Sequence, residues 1–277
     1  MTQRKLARLR RKYYNRSIVC YSLAGVMLIV SIIFFVKFAG EASSYYECDK
    51  LYKEAIENYV TVAEIPSNTI AEDESSQWYN SISVNIKSLE LINPEVKGWI
   101  YFENEDISYP VLYSGDNTKY LKTSYDGQRA SAGSIFLDQG NSGSFDDQYI
   151  IMYGHNMKDK SMFGKLRLYN QSDYYDDHKY FQIYTDDGVY RYMVFACKDV
   201  SKFDQLYEPH RMAEPDFREF VLKHIAAGSK IDTAVLPNDS DHVITLSTCS
   251  TPNHRLIVSA IRIDEHSAKD IYSEAKQ

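Results

Sequence analysis

Two segments set a reactive side chain just past a short apolar run. Ile150-Ile-Met-Tyr-Gly-His-Asn156 carries His155, Val243-Ile-Thr-Leu-Ser-Thr-Cys249 carries Cys249, and Arg255 follows six residues later. Runs rich in Val, Ile, Thr and Tyr favour strands, and a strand end holds a group rigidly while leaving it reachable from solvent. The three side chains together suit acyl transfer through a thioester. The thiolate is the nucleophile, an imidazole moves protons, and a permanently charged guanidinium stabilises an oxyanion.

Each residue also has a plainer reading. Free cysteines are commonly buried, and Arg255 would serve equally as a strand-edge charge. Seven histidines compete for the acid–base role. His178, His210, His224 and His266 sit in polar or helical contexts, and His242 opens the Cys strand at the end opposite Cys249. His254 is close in sequence, but adjacent strand residues point to opposite faces. If Arg255 faces the site, His254 faces away, which favours His155. Of the other cysteines, Cys20 and Cys48 fall in or beside an N-terminal apolar run. Cys197, in Tyr192-Met-Val-Phe-Ala-Cys197, reads as a small buried hydrophobe rather than a disulfide partner. No C-x-x-C pair or His/Cys cluster at metal spacing occurs, so neither a zinc site nor a cofactor is expected.

The elements that must position these groups are short. Strand-like runs fall at 98–102, 107–112, 134–137, 148–153, 180–185, 189–200, 242–248 and 255–263, with Asp186-Asp-Gly188 as a hairpin turn. Helices are predicted at 45–63, 82–92, 161–168 and 215–227, with Pro66 and Gly228 as stops and 68–77 as a polar linker. Eight short strands with few helices suggest a closed, mostly antiparallel barrel. Whether the stalk helix is a spacer or packs on the barrel is open at this level.

The N-terminus is organised differently. Residues 1–16 hold seven basic residues and no acidic one, and 18–36 is an uncharged run of 19. Such a run is long enough for a membrane-spanning helix, and the flanking charge predicts a cytoplasmic N-terminus with the bulk of the chain exported. A cleaved signal peptide, using Gly40-Glu-Ala42, is the competing reading, but its apolar core is usually shorter. The formal charge of −7 hides an asymmetry. Residues 41–277 contain 23 basic against 38 acidic residues, a net −15. That surface excludes a nucleic-acid partner, whose phosphates need clustered Lys and Arg.

Thr245-Leu-Ser-Thr-Cys249 with Arg255 on the next apolar strand resembles the active-site region of the sortases. Tyr153-Gly-His155-Asn-Met, continuing to Ser161-Met-Phe-Gly164, resembles their class B branch. So do Asn93-Pro-Glu-Val-Lys-Gly-Trp-Ile100, Tyr109-Pro-Val111, Asp116-Asn117 with Tyr120-Leu121, and Gly133-Ser-Ile-Phe-Leu-Asp138. The resemblance covers roughly residues 82–263. It implies a mostly β fold: an eight-stranded sortase-type barrel with N-terminal helices, a helix before the Cys strand, and a single transmembrane helix. It divides the chain into a cytoplasmic basic tail (1–16), a membrane signal anchor in contact with lipid (17–39), a helical stalk and linker (40–81), a catalytic domain (82–265) and a C-terminal tail (266–277).

The same resemblance implies a cysteine transpeptidase facing the cell wall of a Gram-positive bacterium. Cys249, His155 and Arg255 are its catalytic residues, and Asn117, Leu121, Tyr153 and Ser247 line the groove for a sorting-signal peptide. The acceptor is an amine of a peptidoglycan precursor or of another protein. Two alternatives stay open: a cell-wall cysteine peptidase with water as acceptor, and a membrane-tethered binding module.

Overall fold

The computed structural model describes residues 3–62, 78–171, 173–208, 216–231 and 233–267. Pro66, the linker 68–77, His210, Pro215 and all but the first two residues of the tail 266–277 lie outside them. The chain divides into two compact units, Met1–Glu47 and Cys48–Gln277.

Helix α1 (Gln3–Tyr59) is continuous, where the sequence predicts a membrane span and a separate stalk helix. No proline occurs before Pro66, so nothing removes a donor from the backbone ladder. It is the one helix among the described residues long and apolar enough to cross a membrane, and the side chains of that stretch are exposed. Within the second unit, the last turns of α1 pack rather than space. Cys48, Tyr52 and Ala55, at helical spacing, are buried. The Tyr52 hydroxyl donates to Gly133 O at 2.6 Å, and its ring meets Tyr109 edge-on at 5.3 Å.

Among the described residues ten strands follow: β1 (Val60–Val62), β2 (Ile82–Val84), β3 (Val96–Phe102), β4 (Ser108–Leu112), β5 (Ile135–Leu137), β6 (Tyr149–Tyr153), β7 (Tyr180–Tyr184), β8 (Gly188–Ser201), β9 (Val243–Thr251) and β10 (His254–Ser267). The first two pair with each other, and the other eight close a barrel in the order β10-β8-β7-β3-β4-β5-β6-β9. Two neighbouring pairs, β4–β5 and β6–β9, are parallel, so the barrel is mixed. The β7–β8 hairpin turns at Asp186-Asp-Gly188 as predicted, closed by Thr185 N–H on Gly188 O at 2.8 Å.

The helices depart further from expectation. Residues 82–92 split because Ile82–Val84 pairs with Val60–Val62. Helix α2 (Ile86–Ile92) starts only where Asn85 caps it by accepting from Ser88 N–H. The 161–168 helix is a 3-10 helix over Gly164–Asn170. Lys160 and Met162 have positive φ, which no right-handed helix accommodates, so the turn must finish first. A short α3 (Tyr174–Asp177) follows. The 215–227 helix is α4 (Phe217–Phe220), continued by a π-helix over Val221–Ala226 and stopped near Gly228 at φ 76°. Its Phe217, Val221 and Ile225 are buried against Phe195, Val243, Ile257 and Ile261. The outer faces of β8, β9 and β10 are thereby covered.

Within the sheet, Phe181 is fully buried and stacked between Phe102 (4.9 Å) and Tyr192 (5.3 Å). Nearby, Arg191 clamps Glu103 with two bonds of 2.8 Å. Phe181→Ala removes a ring held on both faces and leaves a cavity. It is expected to lower unfolding stability by about 3–5 kcal/mol, measurable as a shifted denaturant midpoint with an unchanged slope.

Candidate active site

β6 and β9 run parallel, with Tyr153 beside Ser247, so both chains leave the sheet at the same rim. The pairing continues past β6, where Gly154 N–H donates to Ser247 O at 3.2 Å. Only glycine fits there: a Cβ would stand 2.5 Å from Ile135 Cδ1 and 2.6 Å from the Phe163 ring. The next residue is His155. Phe163 N–H holds its carbonyl at 3.0 Å, and Asn156 Nδ2 reaches across to donate to Cys249 O at 2.6 Å. The histidine loop and the cysteine strand are thus tied at two points.

Sequence reasoning places Cys249 just beyond its strand, whereas β9 continues to Thr251 and β10 resumes at His254. The hairpin is asymmetric. His254 pairs with Thr251 but Arg255 pairs with Cys249, so Ser250 is an unpaired bulge residue. A bulge re-aims side chains, and this one sets Arg255 across the ladder from Cys249. His254 is exposed, with Nδ1 3.3 Å from Thr251 Oγ1, and does not line the groove. His242 sits at the far end of β9, bonded to Asp147 O at 3.1 Å.

His155, Cys249 and Arg255 line one open groove of about 390 Å³, together with Asn117, Leu121, Tyr153 and Ser247. The structure brings all seven sequence-selected residues together. Cys249 is exposed. His155 Nε2 lies 2.7 Å from Leu121 O; a carbonyl only accepts, so Nε2 is the donor there and Nδ1 is left uncommitted. Arg255 is half-buried and spends one donor on His254 O at 3.1 Å. Ser247 Oγ sits 2.9 Å from the Tyr207 hydroxyl, whose titration burial pushes up to about 12.

Cys197 is a different kind of thiol. It is fully buried in β8, and burial pushes its titration up to about 12, so its thiolate is suppressed. All four cysteines are free.

Several groove residues escaped sequence reasoning. Tyr207, Lys202 and Phe203 come from the turn after β8, which carries no motif. Asp138 closes the Gly133-Ser-Ile-Phe-Leu-Asp138 motif, which gave it no role. Thr248 precedes the cysteine, and its Oγ1 is buried without a hydrogen-bond partner.

Comparison with known proteins bears on the chemistry. A family model for the Sortase domain matches residues 100–263. The chain is 35% identical to sortase B of Listeria monocytogenes over 166 residues, 60% of this chain and 67% of that protein. It is 29% identical to sortase B of Staphylococcus aureus over 189 residues, 67% of this chain and 77% of that one. Among solved structures, sortase B from Bacillus anthracis in complex with AAEK1 superposes with a TM-score of 0.65 at 28% identity. That match covers 80% of this chain and 99% of the other. A Staphylococcus aureus sortase B–substrate complex gives 0.60 at 29% identity, covering 65% and 84%. The family model spans more than half of the chain and the relatives agree on the branch, so this protein belongs to the sortases, as a class B cysteine transpeptidase.

Proposed function

We propose that the groove takes the C-terminal sorting signal of an exported surface protein, an x-Pro-x-Thr-x type pentapeptide, and cleaves it after Thr. The observation that carries this reading is the shared rim: an open thiol, an imidazole with one nitrogen uncommitted, and Arg255 in strand register with Cys249. Likeness to a sortase B solved with its substrate supports the ligand class. In this reading Asn117, Leu121, Tyr153 and Ser247 contact the peptide.

Cys249 Sγ, as thiolate, adds to the Thr carbonyl carbon, and the carbonyl electrons move to oxygen, where Arg255 stabilises the charge. Collapse breaks the C–N bond, and His155 gives its proton to the departing amine. An incoming amine then adds to the thioester and loses a proton to His155, and the Cys249 thiolate leaves. Two acyl transfers replace one difficult amide exchange. The acceptor is an amine of a peptidoglycan precursor or of another protein. The apolar stretch of α1, within 17–39, is the anchor, with 1–16 in the cytoplasm and the barrel facing the cell wall. The barrel domain spans 82–265, preceded by the stalk from 40 and followed by the tail from 266.

Turnover of a small library of pentapeptides, with and without an added amine, tests the reaction. An amine adduct is expected; hydrolysis alone, unaffected by amine, points to the peptidase instead. Cys249→Ala is expected to abolish cleavage in a folded protein and Cys197→Ala to leave it nearly unchanged. Equal loss in both would refute Cys249 as sole nucleophile. Arg255→Ala is expected to lower kcat by about 10²–10³-fold.

Topology has its own test. Protease added to protoplasts is expected to digest the barrel and spare residues 1–16. A mature protein free in the medium and beginning near Ser43 would show a cleaved signal.

A further inference from the structure

Asp138, the residue after β5, is only 4% exposed yet lines the groove. Its carboxylate takes three neutral donors. Gly140 N–H reaches Oδ1 at 2.7 Å, and Asn117 Nδ2 and the Tyr153 hydroxyl both reach Oδ2 at 2.8 Å. The three bonds are charge-assisted, and only an acceptor at this position can satisfy all three donors.

What it does is remove freedom from its neighbours. A carboxylate only accepts, and Gln139 N–H only donates. Asn117 sits between them, with Oδ1 accepting from Gln139 N–H at 2.8 Å, so its amide has one allowed orientation. One Nδ2 hydrogen and one Oδ1 lone pair are left over on a residue that lines the groove. A donor and an acceptor fixed side by side match the backbone of an extended peptide. The second neighbour is Tyr153, whose ring lies 5.4 Å from Phe136 and 6.2 Å from Tyr207. Burial and then the negative charge of Asp138 push its phenol upward, so it stays a neutral donor. Tyr207 in turn contacts Ser247, two residues before Cys249.

We propose that Asp138 is a positioning residue for substrate selection, locking the Asn117 amide and the Tyr153 ring in the orientation that reads the peptide. The inference rests on the sorting-signal groove proposed above. Asp138 itself touches no reacting atom and acts through those two side chains.

The test uses the full-length protein in detergent. Asp138→Asn keeps shape and loses the charge and one acceptor. It is expected to raise KM for the best-cleaved pentapeptide about tenfold, with kcat within about twofold and the rate of Cys249 alkylation by iodoacetamide unchanged. In an N117A/Y153F background the same substitution is expected to add less than about twofold, because its targets are gone. An equal effect in both backgrounds, or a fall in kcat and alkylation at constant KM, overturns the inference. If D138N fails to fold, D138S carries the same cycle. If the wild type cleaves no pentapeptide, the proposed function fails and NMR of the Asn117 side-chain amide decides the matter. A slowly exchanging amide in the wild type that becomes fast in the variant supports the positioning role, and an unchanged signal refutes it.

Discussion

The parallel pairing of β6 with β9 brings an imidazole and a thiol to the same rim of the barrel. Strands paired antiparallel would send the residues after Tyr153 and after Thr248 to opposite ends. Parallel neighbours need a long crossover, and here it contains β7, β8 and α4 before β9 begins. The site is therefore non-local by construction. Cys249 and His155 meet only once the intervening strands have closed the barrel, and the bond from Asn156 to the Cys249 carbonyl then fastens the two segments.

The same pairing explains how β9 is buried on both faces yet ends in solvent. Val243 faces the helix that precedes the strand, packed with Phe217, Val221 and Ile225. Ile244 and Leu246 are fully buried. At Cys249 the burial ends. Cys197 illustrates the contrast, since the same side chain in the middle of β8 is held as a thiol by desolvation. Accessibility at a strand end, rather than residue type, separates a candidate nucleophile from a packing residue.

The groove lining combines two kinds of group. One is cationic, Lys202 and Arg255, suited to developing negative charge. The other is built on Asp138, whose hydrogen bonds organise neutral side chains rather than reacting ones.

By itself, the sequence determined the strands and the apolar span, and it singled out the candidate reactive residues. Alternating β-branched runs specify strands locally, and all eight barrel strands lie where those runs fall. Asp186-Asp-Gly188 needs only its own backbone to turn. The length and apolarity of 18–36 suffice for a membrane-crossing helix. Helix boundaries were less legible, because Ile82–Val84 exchanged a helical reading for a strand partner at 60–62, and the positive φ of Lys160 and Met162 delayed the next helix. Asp138, Tyr207 and Lys202 were invisible as groove residues because their roles depend on neighbours tens of residues away. Only the tertiary structure decided strand direction and the bulge that sets Arg255 opposite Cys249. Those are properties of pairing register, which local propensity does not encode.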